Sequence, residues 1–224
     1  MRRTPRRFGN DMVMCGAEIP PYFGQWETPG LIGAIITGAC RAEDDPAWAE
    51  SGAESPEDYA RWADHLCGVA CLRMALAARG INPPPARHLA RVLTRYGAYV
   101  EQEDGYIRGL IYAPAITWLA ETHAMPAEII LDRAAEDIPP LLSGGGLFIA
   151  SVHPAIRRPA ERAPGKGGHL VLVFGAEGDT LRLHNPSGHD AASQADARVP
   201  MPDFARFFAG RGIWLPGAPL AQRA

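Results

Sequence analysis

The sequence predicts an α+β domain, and three observations predict it. Helix-like apolar segments fill the chain up to about residue 145, whereas short strand-like runs bounded by turns dominate from residue 146 onward. Helices first and strands later is the order of a segregated α+β fold rather than of alternating β–α units. With 224 residues, 47% hydrophobic and 21% charged, the chain is long enough for one sizeable core, and 1–224 reads as a single domain.

The elements follow in order. Residues 1–20 look irregular, and EIPPYFGQWETP (18–29) mixes prolines and aromatics as an extended segment or turn does. LIGAIITGACRA (31–42) suits a short helix. In the acidic stretch 43–65, the serine and proline of ESPEDYARWA fit an N-cap followed by proline at the first helical position. Residues 67–79 form an apolar helix, with Gly80 placed as its C′ residue. Further helices start behind the prolines of PPPARHLARVLTRYG and in APAITWLAETH (113–123), and AEIILD (127–132) reads as a strand. GLFIASV (146–152), HLVLVFGA (169–176) and TLRLHNP (180–186) are strands. HPAIRRPAERAPGKGG connects the first two of these. MPDFARFFAGR closes the chain with a helix and GIWLP with a strand.

Composition excludes several classes. A net charge of −3 gives no reason to expect nucleic acid, and the basic start MRRTPRR reads as a frayed tail. No run reaches membrane-spanning length, and no apolar h-region follows the basic start, so the expected location is cytoplasmic. There Cys15, Cys40, Cys67 and Cys71 are expected as thiols.

DHLCGVACLRMALAARG (64–80) holds two of those cysteines at the head of an apolar helix. A zinc clip would need a second ligand pair, which isolated Cys15 and Cys40 do not supply, and a thioredoxin-like pair needs two intervening residues where three stand here. Cys71 reads as a core residue. Cys67 stands where polar ADH gives way to helix, and the first turn presents unpaired N–H groups and the positive end of the dipole. That placement favours a thiolate nucleophile. Gly68 would leave room for a substrate carbonyl, and Asp64 would cap the helix.

A nucleophilic thiol needs a base and a group that orients the base. GGHLVLVFGAEGDTLRLHNPSG (167–188) offers His169 at the start of one strand and Asn185 at the end of the next. A three-residue loop, 177–179, pairs odd residues with odd. His169, Val171 and Val173 then share a face with Leu181, Leu183 and Asn185, and His184 points to solvent. His169 and Asn185 become neighbours at the open end of the hairpin, where the asparagine carbonyl can hold the imidazole tautomer.

In CGVACLRMAL, GGHLVLVFGA and HNPSG, taken in that order, the chain resembles the papain-like cysteine peptidases. More narrowly it resembles the bacteriocin-processing, double-glycine leader peptidases and their stand-alone relatives. The resemblance also covers PPYFGQWE, whose glutamine, Gln25, corresponds to an oxyanion-hole donor. It implies a papain-like fold, with the nucleophile at the N-terminus of a helix packed on an antiparallel sheet. It further implies a peptide or protein substrate, no cofactor and no metal, and a catalytic set of Cys67, His169, Asn185 and Gln25. The family usually keeps the glutamine close to the cysteine, so 26–63 would be an insertion between Gln25 and Cys67. Its acidic residues Glu43, Asp44 and Asp45 are expected on a surface near the cleft, favouring basic peptides. The family includes members fused to transporters; this sequence shows no transporter segment, so it is expected to act alone. A Cys67–His169 ion pair is expected to hold the thiol pKa low. The same apparatus would serve an acyl- or peptidyl-transferase, and a non-catalytic peptide-binding module on this fold is the third reading.

The remaining candidates have plainer explanations. His65 reads as an exposed loop histidine, and His123 and His153 as loop residues without partners. Trp62, Trp118 and Trp214 read as core or cleft walls. The GGG run (144–146) precedes a strand and lacks the lysine-serine/threonine ending of a phosphate loop, so it reads as a turn. The 153–168 loop, ending beside His169, is a candidate flap over the cleft.

Overall fold

The computed structural model describes residues 18–217, so Cys15 and the basic start lie outside the described residues. The helices are α1 (Ile32–Ile36), α2 (Pro56–Ala63), α3 (Cys67–Ala77), α4 (Ala86–Arg95), α5 (Tyr112–His123), α6 (Ile138–Leu141), α7 (Ala191–Gln194) and α8 (Met201–Phe207). The strands are β1 (Val100–Glu101), β2 (Ile107–Arg108), β3 (Glu128–Ile130), β4 (Leu147–Val152), β5 (His169–Glu177), β6 (Thr180–His184), β7 (Ala197–Pro200) and β8 (Phe208–Leu215). β1 and β2 form a small hairpin. The other six make one antiparallel sheet in the order β3-β8-β4-β5-β6-β7.

Strand alternation divides the interior into two cores. Leu147, Ile149, Leu170, Leu172 and Phe174 face α3, α4 and α5, while Phe148, Ala150, Val152, Val171 and Val173 pack on Phe204 and Phe207 of α8. Both faces of the central strands are covered, so β4 is buried throughout and carries no polar–apolar alternation. α3 lies against β5 and is almost wholly buried, which explains its apolar composition all round. It ends as Gly80 at C′ requires: Gly80 takes φ +73°, the Ile81 N–H donates to the Leu76 carbonyl, and the Gly80 N–H to that of Ala77.

The β5–β6 hairpin reaches its parity by a different route from the one the loop length suggests. Glu177 pairs with Thr180 across a two-residue turn at Gly178–Asp179, not a three-residue loop. A bulge between Val173 and Gly175 then shifts the register by one, so Val173 pairs with Leu183 and odd residues face odd beyond it. His184 corrects the parity reading. It is buried, because the 20–22 segment lies over it: Nε2–H donates to the Pro20 carbonyl at 2.8 Å, and Nδ1 accepts the Asp196 N–H at 3.0 Å. Phe174 and Tyr22 pack on its ring.

Residues 26–63 fold around a small core of Trp26, Ile32, Tyr59 and Ala63. Its anchor is Asp45, which is buried, not on the cleft surface. It accepts from the Thr28 N–H and hydroxyl, the Ala47 N–H and the Tyr59 hydroxyl. Burial raises the Asp45 carboxyl pKa, but these donors outweigh it and hold the value below the usual range. Ser55 caps α2 by accepting the Asp58 N–H, with Pro56 in the first turn. Both ends of the segment return to the body: Glu27 pairs with Arg73 of α3 at 3.2 Å, and α2 runs through Asp64 into α3. Asp64 closes α2; the N-cap of α3 is Leu66, without a side-chain cap bond.

Candidate functional site

Cys67 begins α3. The first bond at its head joins the Ala70 N–H to the Leu66 carbonyl, which leaves the amides of Cys67 and Gly68 outside the helical ladder. Those two amides, with that of Leu170 in β5, lie near the Cys67 sulfur and favour its thiolate form. Gly68 faces inward instead of toward the cleft. A Cβ there would lie 2.7 Å from Leu110 Cβ and 3.0 Å from the Tyr99 hydroxyl, so this glycine serves close packing and leaves no room for a carbonyl.

His169 opens β5. Gly167 and Gly168 precede it at φ +80° and +93°, a left-handed pair that turns the 153–168 connection into the strand. Its Nε2 lies 2.8 Å from Asn185 Oδ1 and 3.0 Å from Ser187 Oγ. The Asn185 oxygen also accepts the Ser187 N–H at 3.1 Å, fixing the turn that presents it. Arg157 clasps this turn from the connecting loop, donating through Nε to the Ser187 carbonyl at 2.6 Å and through Nη2 to Ser187 Oγ at 2.8 Å.

Cys67 and His169 line one cleft of about 450 Å³, with Ser151, Tyr112, Leu110, Arg108 and Arg211 among its walls. Asn185 sits behind His169, buried. Gln25 is buried too, but it is not among the residues lining the cleft. Its N–H donates to the Pro186 carbonyl at 2.8 Å, and its Oε1 is buried with no hydrogen-bond partner among the described residues. The sequence therefore gathers Cys67, His169 and Asn185 about one end of the sheet, with Gln25 alongside the Asn185–Pro186 turn.

Burial sets the electrostatics. It pushes the Cys67 thiol pKa up, against the three amides and the Arg157 charge that pull it down. It pushes His169 down to about 4, with Arg157 and His153 adding to the fall and the Asn185 bond opposing it. Both shifts disfavour the resting ion pair expected from the sequence. Cys71 is fully buried on the next turn, and its pKa is raised by burial and by Cys67.

Sequence reasoning missed Ser187 and Arg157; the Asn-Pro-Ser-Gly run carried a signal, since an asparagine side chain two residues before a serine N–H is a common turn. His65 is half-buried and meets the exposed Tyr106 ring edge-on at 5.6 Å. His153 has a partner, accepting the Ala155 N–H. Trp62 and Trp118 are core residues, and Gly144 and Gly145 form a turn before β4.

No family model matches the sequence, and no curated protein sequence matches it. Solved structures do. One is a double glycine motif protease from an AMS/PCAT transporter in complex with the leader peptide: 20% identity, 67% of this chain and 84% of that one covered, TM-score 0.43. Another is the peptidase domain of Streptococcus ComA, a bi-functional ABC transporter involved in quorum sensing: 18% identity, 68% and 93% covered, TM-score 0.47. A third is described as a C39-like peptidase from Bacillus anthracis: 14% identity, 69% and 90% covered, TM-score 0.47. Among the described residues, no helix is long and apolar enough to cross a membrane.

Proposed function

We propose that the chain is a cysteine peptidase that hydrolyses a peptide or related amide bond through a thioester. The observation that carries this reading is the shared cleft: Cys67, at an uncapped helix start, opens into the same space as His169, whose Nε2 is held by Asn185. With Nε2 engaged, Nδ1 is the nitrogen left for proton transfer. His169 takes the thiol proton as the sulfur attacks the carbonyl carbon, so charge develops during attack and is not stored beforehand. The amides at the head of α3 that lie outside the helical ladder would receive the oxyanion, with Gln25 the candidate side-chain donor. Collapse of the tetrahedral intermediate breaks the C–N bond, and the imidazolium returns its proton to the leaving amine. Water, deprotonated by His169, then attacks the thioester, releasing a carboxylic acid and regenerating the thiol. A cytoplasmic setting would keep Cys67 reduced, as this chemistry needs.

The test is digestion of a peptide library by wild type and by Cys67→Ala, with products identified by mass spectrometry. Hydrolysis confined to the wild type supports the reading. Products joined to an added amine or thiol in preference to water would make the chain a transferase. Binding without turnover by either protein would make it a peptide-binding module.

A further inference from the structure

The cleft that holds Cys67 carries two cationic walls and no anionic one. Arg108 on β2 and Arg211 on β8 both line it, and none of its lining residues is an aspartate or glutamate. Both arginines are exposed, and among the described residues neither lies within ion-pair distance of a carboxylate. Asp104, close to this wall in sequence, accepts the Tyr106 N–H at 2.9 Å. Elsewhere among the described residues Arg61, Arg87, Arg91, Arg182, Arg198 and Arg206 each pair with a carboxylate, whereas Arg95, Arg133 and Arg162 are exposed and unpaired but do not line this cleft.

Arg211 lies close to Gly167 and to the cleft residues Ser151 and Tyr112. Its Nη2 would lie 3.5 Å from a Cβ on Gly167, two residues before His169, and the Ser151 hydroxyl 3.4 Å from the same point. Its guanidinium also sits beside the Tyr112 hydroxyl, where with Ser151 it tempers the rise that burial imposes on the Tyr112 pKa. The rim adds apolar surface: Tyr106 and Leu131, 55% and 57% exposed, are two of four large hydrophobic side chains left open to solvent among the described residues.

We propose that this cleft selects substrates bearing a carboxylate close to the bond presented to Cys67, with Arg108 and Arg211 as specificity-determining residues. Tyr106 and Leu131 hold an adjacent apolar residue. The inference rests on the peptidase reading, and it reverses the preference for basic peptides that the acidic insertion suggests. A guanidinium without a carboxylate partner, on the wall of a cleft that focuses its field, attracts a carboxylate more strongly than one on open surface does. The carboxylate has two sources, an acidic side chain or the C-terminus of the peptide.

Binding to Cys67→Ala protein tests the inference without requiring turnover. Random heptapeptide pools with one fixed position, Glu, Gln or Lys, and either a free or an amidated C-terminus are passed over the immobilised protein. Retention of each pool is measured by mass spectrometry. Glu pools should be retained about tenfold over Gln pools at one position; free pools retained over amidated ones, with Glu and Gln alike, would assign the carboxylate to the C-terminus instead. Either preference should vanish in Arg108→Gln/Arg211→Gln and turn toward Lys in Arg108→Glu/Arg211→Glu. Equal retention of Glu and Gln pools with no loss on amidation, or a preference that survives the double Gln variant, would overturn the inference. Digestion of the same pools by the wild type separates the two claims. Cys67-dependent cleavage without charge preference leaves the peptidase reading and removes this one. Charge-selective binding without cleavage does the reverse.

Discussion

Ser187→Ala removes one oxygen from behind His169 and leaves the backbone around it unchanged. The Arg157 Nε bond to the Ser187 carbonyl and the Ser187 N–H bond to Asn185 Oδ1 are backbone contacts, and alanine keeps both. What is lost is confined to Oγ: its 3.0 Å contact with His169 Nε2 and its 2.8 Å bond from Arg157 Nη2. One neutral hydrogen bond contributes about 1 kcal/mol, and one to a half-exposed guanidinium little more, since water can replace the lost oxygen. The loss of about 1.4 kcal/mol from the transition state corresponds to about a tenfold drop in kcat. A second readout separates positioning from mere packing. Arg157 lowers the His169 pKa, and releasing its Nη2 tether lets the charge move toward solvent. His169 acts as base only when neutral, so the acid limb of the pH profile should move to higher pH. Alkylation of Cys67 by iodoacetamide, followed by intact mass between pH 3.5 and 8, reports that limb without a known substrate. Arg157→Gln should move it in the same direction. A Ser187→Ala protein with turnover within about twofold of wild type and an unmoved limb would refute the positioning role.

Three further outcomes are expected. Gly68→Ala drives a Cβ to 2.7 Å from Leu110 and should lower stability by about 1–3 kcal/mol, read as a reduced urea midpoint at unchanged slope. Asp45→Ala leaves the buried Tyr59 hydroxyl and the Thr28 and Ala47 amides without their acceptor and should cost about 3 kcal/mol; a loss below about 1 kcal/mol would mean that the 26–63 core does not depend on this carboxylate. Stability should fall with acid in the window set by His169. Its pKa drops from 6.5 to about 4 on folding, so between those values the unfolded chain binds a proton that the folded chain refuses, and the loss grows as pH falls through the window, to on the order of 3 kcal/mol. His169→Gln should flatten the slope of unfolding free energy against pH there.

Much of this was legible from local pattern. Ser55–Pro56, Gly80 and the run of strands after residue 146 carry their own signals, because caps, left-handed glycines and β-rich runs are decided within a few residues. The hairpin shows where local reasoning stops. Its parity at Val173 and Leu183 follows equally from a three-residue loop or from a two-residue turn with a bulge, and nothing in the sequence chooses between them. His184 shows a different limit. Alternation says which side of a strand a residue occupies, but not that a segment 164 residues away covers that side. Asp45 was hidden in the same way, since an acidic run reads as surface until one member is seen to collect four donors. β7 is four residues long and ends in proline, too short to stand out. Cys67 and His169 were legible as types in suitable places, whereas their shift toward neutral forms depends on burial, which only the packed fold supplies.

The most direct measurement is capture of the acyl-enzyme. A peptide drawn from the digested pools is mixed with the wild type, quenched in acid within its first turnovers, and the intact protein is weighed and mapped. A covalent adduct with the mass of the N-terminal product, located on Cys67, absent from Cys67→Ala and strongly reduced in His169→Ala, is the predicted result. Cleavage with no adduct on Cys67, or an adduct on Cys40 or Cys71 in its place, would contradict it.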